Sequence, residues 1–262
     1  MHIRPPAVSG TFYPADAQKL RDMVKRLLQQ VSASSPNLIP KAMIVPHAGY
    51  VYSGPIAASV YAKLIPLKTD IKRVVLLGPA HTLPLRGLAT TTADGFATPL
   101  GTVPIDHPSI KHILSLPQVV SLEKAHEREH SLEVQLPFLQ EVLEEFTLIP
   151  LVVGETSPQH VAEVLEKLWG GTETLIIVSS DLSHYQDYQT AQYMDKLTSQ
   201  AIEHLRPQDV HHKHACGCYP MNGLLYLAKA KGMHAKTIDL RNSGDTAGSR
   251  HQVVGYGAYV FH

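Results

Sequence analysis

Four short apolar runs constrain this chain more than any other feature: Ala42–Val45, Arg73–Leu77, Leu148–Val153 and Thr174–Val178. They are too short for ordinary helices and lack the apolar–polar alternation of a strand with one wet face. Near-continuous apolarity marks strands buried on both faces, and such a sheet needs helices on each side. The intervening sequence supplies them. Residues 16–31 place Leu20, Met23, Val24, Leu27, Leu28 and Val31 at helical spacing, and Ser157-Pro158 opens an amphipathic segment carrying Val161, Val164, Leu165 and Leu168. Residues 220–230 read as a helix closed by Gly232, and Val253 to Phe261 as a closing strand. Ser32 to Pro40 is a polar, proline-bounded loop. Tyr50 to Gly54 reads as a loop, with Pro55 as the first residue of the following helix. No internal repeat or biased linker divides the 262 residues. The expected fold is α/β: a single domain over residues 1–262, with a central, mostly parallel buried sheet and helices on both faces.

Composition narrows the function classes. Charge is balanced, 23 Lys+Arg against 23 Asp+Glu, without runs of either sign, which argues against binding nucleic acid or an anionic membrane through a basic footprint. No apolar run approaches the ~20 residues of a membrane span, and the opening residues contain no leader-like apolar core. The two cysteines, Cys216 and Cys218, are too close together to staple distant parts of the fold. A cytoplasmic, reducing location is expected.

Three strand ends finish on histidine-bearing loops: Pro46-His47-Ala48-Gly49-Tyr50, Gly78-Pro79-Ala80-His81 and Ser179-Ser180-Asp181-Leu182-Ser183-His184. Ligands of open α/β sheets bind beyond the carboxyl ends of the strands, so loops in this register can converge on one site. Gly49, Gly54 and Gly78 fit tight turns or close backbone approach to a ligand. Among the 16 histidines, His107, His112, His160 and His234 occupy surface contexts and read as solvated. Glu129-His130-Ser131-Leu132-Glu133 admits two readings, a helix start capped by Ser131 or a segment that brings His130 into the pocket. His211-His212-Lys213-His214-Ala215-Cys216-Gly217-Cys218 lacks the paired spacing of a structural zinc site. Its histidines read as a solvated loop. A cysteine just before a helix is different, because the helix N-terminus favours its thiolate as ligand or nucleophile. Gly217, followed shortly by Pro220, suggests a turn that sends the two thiols apart.

These motifs, in this order and together with the opening Pro6-Ala7-Val8-Ser9-Gly10-Thr11-Phe12-Tyr13-Pro14, resemble the MEMO family over nearly the whole chain. The resemblance implies a fold similar to class III, LigB-like non-haem iron extradiol dioxygenases. It also implies a metal pocket formed by His47, His81 and Cys216, with iron or copper, or else zinc, as the cofactor. Asp181, His184 and His130 are the expected catalytic or ligand-orienting residues. Functional association with a radical-SAM protein and an AMMECR1-like protein is implied as well. The dioxygenases hold Fe(II) with two histidines and a carboxylate, whereas the third donor here is a softer thiolate, so simple ring cleavage is not expected. The readings to separate are a metal-dependent redox protein, a non-catalytic module binding a peptide or small molecule, and metal-free nucleophilic catalysis by Cys216.

Overall fold

The computed structural model describes residues 2–31 and 38–262. The chain opens with β1 (Ile3–Arg4) and α1 (Ala17–Gln29), the latter capped by Asp16, whose carboxylate accepts from the Lys19 amide. The loop expected at Ser32 to Pro40 falls largely on residues 32–37, outside the described residues. Next come β2 (Ala42–Val45), α2 (Tyr50–Tyr61) and β3 (Arg73–Pro79). Then follow β4 (Leu88–Thr90), the hairpin β5 (Gly95–Thr98) and β6 (Gly101–Pro104), α3 (His107–Ile113) and β7 (Val119–Ser121). After α4 (Lys124–Glu127) and α5 (Leu136–Val142), the remaining apolar runs form β8 (Thr147–Val153) and β9 (Thr174–Ser179), joined by α6 (Pro158–Leu168). The chain finishes with β10 (His184–Gln186), α7 (Tyr188–Glu203), α8 (Cys218–Ala230), β11 (Ala235–Asn242) and β12 (Val253–Phe261).

Nine strands make one sheet in the order β10-β12-β2-β9-β3-β8-β4-β7, with β11 also paired to β12. The four central strands β2, β9, β3 and β8 are parallel, whereas β12 and β4 join them antiparallel, so the sheet is mixed. Every residue of β2 and β9 is buried, as expected of strands covered on both faces. On the helical layers, α1, α2 and α5 pack together, as do α6 and α8. The register keeps the strand ends level: Val45 pairs with Ser179, Leu77 with Val178 and Pro79 with Val153. This alignment brings the polar loops to one edge.

One boundary differs from the sequence reading. The loop expected at Tyr50 to Gly54 is already helical, and Pro55 lies inside α2. Pro55 has no N–H for the Val51 carbonyl, but Val51 is exposed and water can serve that acceptor. Gly54 marks close packing rather than a turn, since a Cβ there would lie 2.8 Å from Leu27 Cδ1 of α1. Gly78 likewise makes room for a protein side chain, with Ser131 Oγ 2.5 Å from the position its Cβ would take.

Candidate metal centre

The ends of β2 and β3 carry His47 and His81 to the same edge, and the turn before α8 brings Cys216 against them. One donor atom from each of the three lies within 4.8 Å of the other two. His47 Nε2 is 3.3 Å from Cys216 Sγ. Metal–nitrogen bonds of ~2.0–2.1 Å and a metal–sulfur bond of ~2.3 Å put the two donors ~3.5 Å apart at a tetrahedral angle. The donor set therefore fits a metal ion.

Each imidazole is fixed through its other nitrogen. His47 Nδ1 lies 3.0 Å from Ser179 Oγ, and Gln135 Nε2 donates to that same hydroxyl at 2.8 Å. His81 Nδ1 lies 2.9 Å from Glu129 Oε1, while the His81 backbone N–H donates to Glu129 Oε2 at 2.7 Å. A carboxylate on the far nitrogen fixes tautomer and ring orientation and leaves Nε2 for a metal. Asp181 acts on the other histidine: its Oδ1 accepts the His47 backbone N–H at 2.7 Å, and its Oδ2 is 4.0 Å from His47 Nε2. Ser179, Gln135 and Glu129 are functional partners that the sequence reading did not single out, although Glu129 stood beside the named His130.

His130 belongs to the pocket. Its ring stacks on His81 with centroids 4.7 Å apart and an interplanar angle of 16°, and Phe12 packs against it at 4.8 Å. Of the alternative reading the helix start holds and the cap does not: a short helical turn at Glu133–Gln135 leads into α5 with Leu132 at its cap, and the Ser131 hydroxyl donates to the Pro79 carbonyl. Ser131 N–H donates to Glu129, and Glu133 is fully buried in an ion pair with Arg4. His81, Glu129 and His130 also group closely enough to hold an ion, but Glu129 is already committed to orienting His81. His184 lines the same cleft from β10 but stands outside the group formed by His47, His81 and Cys216. The cleft encloses about 1300 Å³, with Tyr52, Tyr185, Lys213 and Tyr256 also along its walls. His107, His112, His160 and His234 are exposed, as expected.

Electrostatics match a ligand site. Burial, reinforced by His81, His130 and His184, pushes His47 well below the usual histidine range and keeps it in the neutral form that binds metals. Burial raises the Asp181 carboxyl to about 7, against the hydrogen bond from His47. Burial would raise Glu129 too, but hydrogen bonds from His81 and Ser131 outweigh it and hold the carboxylate at about 2. Burial and then Asp181 push the Cys216 thiol up to about 12. Burial and Asp181 thus oppose the thiolate that the helix N-terminus was expected to favour at Cys216. Cys218 turns away as anticipated. It is buried, with Sγ 3.3 Å from His212 Nδ1, and lies outside the donor group.

The Memo-like protein family profile matches residues 4–260. A MEMO1 family protein of Aquifex aeolicus is 37% identical over 282 residues, covering 100% of both chains. Another, from Archaeoglobus fulgidus, is 34% identical over 272 residues, covering 99% of each. Among solved structures, an uncharacterized protein of Escherichia coli K12, JW3007, superposes with a TM-score of 0.55 at 12% identity, over 85% of this chain and 100% of that one. At that identity the superposition speaks for the fold alone. Sequence similarity of this extent, over a chain that carries all five motifs, shows that the protein belongs to the MEMO1 family.

Proposed function

We propose that the protein binds a redox-active metal ion, iron or copper, through His47, His81 and Cys216, and works on a small molecule held in the adjoining cleft. The observation that supports this reading is the convergence of the three donor atoms within 4.8 Å, with both histidines fixed through their other nitrogens. Two imidazoles and one sulfur suit iron, copper(I) or zinc, and the sulfur shifts preference from hard toward softer ions. When bound, iron or copper supplies one-electron chemistry at the cleft floor. The chain's own residues do the rest. His130 and His184 face the cleft as hydrogen-bonding groups for a ligand, and Asp181 holds the His47 loop where its carboxyl can take or return a proton. Simple catechols are expected to be poor substrates because a sulfur stands where ring-cleaving enzymes place a carboxylate.

A second reading, a binding module without turnover, draws support from the cleft rim. Tyr185 is 71% exposed there, beside partly exposed Tyr52, an arrangement that suits a peptide or other large ligand. Metal content tests the first reading directly. Protein purified anaerobically without a histidine tag should carry close to one equivalent of iron, copper or zinc. His47→Ala, His81→Ala and Cys216→Ser should each lose it while keeping the wild-type circular dichroism spectrum. Equal occupancy in all four proteins would remove the metal centre. Metal loss with unchanged peptide or small-molecule binding would favour the second reading.

A further inference from the structure

Among the described residues, two other than glycine adopt a positive φ: Leu205 at 51° and Tyr185 at 58°. The end of α7 accounts for Leu205. It is buried, and its amide and that of Arg206 reach back to the carbonyls of Ile202 and Ala201, the left-handed close of many helices. Tyr185 has no such account. A bulky side chain is crowded against its own backbone in this region. Yet Tyr185 is 71% exposed, and its hydroxyl makes no hydrogen bond among the described residues. Its ring meets that of its neighbour His184 edge-on, with centroids 5.9 Å apart. Packing within the chain does not offset the strain, and strain of this kind gathers at ligand sites.

A β-bulge puts the residue there. His184 pairs with Val254 and Gln186 with Val253, so β10 advances two residues while β12 advances one, and Tyr185 is the extra residue. Side chains of a regular strand alternate between its faces, yet His184, Tyr185 and Gln186 all border the large cleft. The bulge is held on both sides. Before it, the Leu182 amide donates to the Gly255 carbonyl and the Gly255 amide to the Ser183 carbonyl. After it, the Asp187 carboxylate caps α7 by accepting from the Gln189 and Thr190 amides. Tyr52 of α2 and Tyr256 of β12 border the same cleft, and Tyr52 and Tyr185 both lie within electrostatic reach of the Tyr256 hydroxyl. An exposed ring held at the mouth of a cleft offers its surface to a flat group of the ligand. Ring–ring contact favours such a group over an equally apolar saturated one.

We propose that Tyr185 is a specificity-determining residue of the cleft, selecting a small molecule with a planar aromatic ring by packing against that ring. The proposal rests on the cleft being a small-molecule site and holds for any of the metals considered above. It is tested on the protein as purified, by isothermal titration calorimetry with 2-naphthoate and its saturated counterpart decahydro-2-naphthoate. The two probes carry the same carboxylate, so contacts with a metal or with Lys213 are common to both and the flat ring is the difference. Tyr185→Leu should weaken 2-naphthoate by about three- to tenfold and leave the saturated probe within about twofold. Tyr185→Phe, which keeps the ring, should bind both as wild type does. Tyr185→Gly, which suits a positive φ, should lose the same preference and melt no lower than wild type. Equal weakening of both probes by Tyr185→Leu would overturn the proposal while leaving the cleft as a ligand site. A lower melting temperature for Tyr185→Gly would overturn it by showing that the tyrosine serves the fold. Wild-type protein that binds neither probe would overturn it as well, and the metal occupancies of the donor variants then decide the metal centre separately.

Discussion

The distance between His81 and Glu129 decides more at the residue scale than any property of His81 alone. Glu129 is 1% exposed, yet ionised, because it accepts from the His81 ring, the His81 amide and the Ser131 amide. Glu129→Gln keeps the shape and one acceptor but removes the charge that raises ligand basicity. It should weaken metal binding by roughly 10–100-fold, the usual cost of losing such a partner, with the fold retained. Competition with a chromophoric chelator measures this, and unchanged affinity would mean that Glu129 is structural only. The two cysteines give a second contrast: Cys216→Ser should lose the metal, whereas Cys218→Ser should keep it, because only Cys216 Sγ approaches His47 Nε2. Loss confined to Cys218→Ser would show that the donor had been assigned to the wrong cysteine. His47 and His81 were legible as candidates because strand ends announce themselves by a sudden change from apolar to polar residues, whereas their grouping with Cys216 came from the family resemblance. Their supporting partners were not legible. Ser179 and Gln135 belong to residue types that occur everywhere, and only the level register of β2 and β9 brings Ser179 beneath His47.

Among the elements, the segment from β1 to α1 shows how a remote ion pair shapes the cleft. Glu133 accepts from the Arg4 guanidinium, the Ala7 and Val8 amides and the Tyr13 hydroxyl, all while fully buried. Arg4 in turn donates to the carbonyls of His126 and Glu129. This clasp fixes the strap that carries Thr11 and Phe12 to the cleft, where Phe12 packs on His130. Glu133→Ala leaves Arg4 buried without its counter-charge and should cost about 3–5 kcal/mol in urea denaturation. A loss within the error of the measurement would mean that the strap is held by packing alone. The four central strands and α1, α6 and α8 were readable, since each presents an apolar pattern of its own. Helix α7 was not. Its buried face is Ala191, Asp195, Thr198, Ser199, Ala201 and Ile202, mostly small or polar residues that give no hydrophobic period. The β5–β6 hairpin and the short strands β4, β7 and β10 escaped for a related reason: they are three or four residues long, and pairing rather than composition defines them.

For the whole molecule, the groups buried in their neutral form tie stability to pH, and His126 is the clearest case away from the donor set. Burial lowers its ring to about 4, with Arg4 adding to the effect against the pull of Glu123. Its Nε2 lies 3.1 Å from the Ala89 carbonyl, which fixes the neutral tautomer with the proton on that nitrogen. The unfolded chain takes up this proton near pH 6.5, whereas the folded chain resists until about pH 4. Between those values the unfolded state holds more protons, so stability falls as pH falls. The full excursion is worth about 3 kcal/mol, all of it present above pH 6.5 and lost by about pH 4. Asp195 works in the opposite sense. Burial raises its carboxyl from 3.8 to about 6, so the folded state holds the extra proton in that window and this contribution declines as pH rises through it. A raw stability profile would therefore mix the two. The difference between wild type and His126→Phe removes the Asp195 contribution, which both proteins share. The substitution also deletes the hydrogen bond to Ala89, an offset at every pH that leaves the slope untouched. The advantage of wild type over the variant should shrink by about 3 kcal/mol between pH 7 and pH 4 in urea titrations. Parallel profiles for the two proteins would show that His126 takes up its proton in the fold as readily as in the unfolded chain, and that the acid sensitivity of this molecule resides elsewhere.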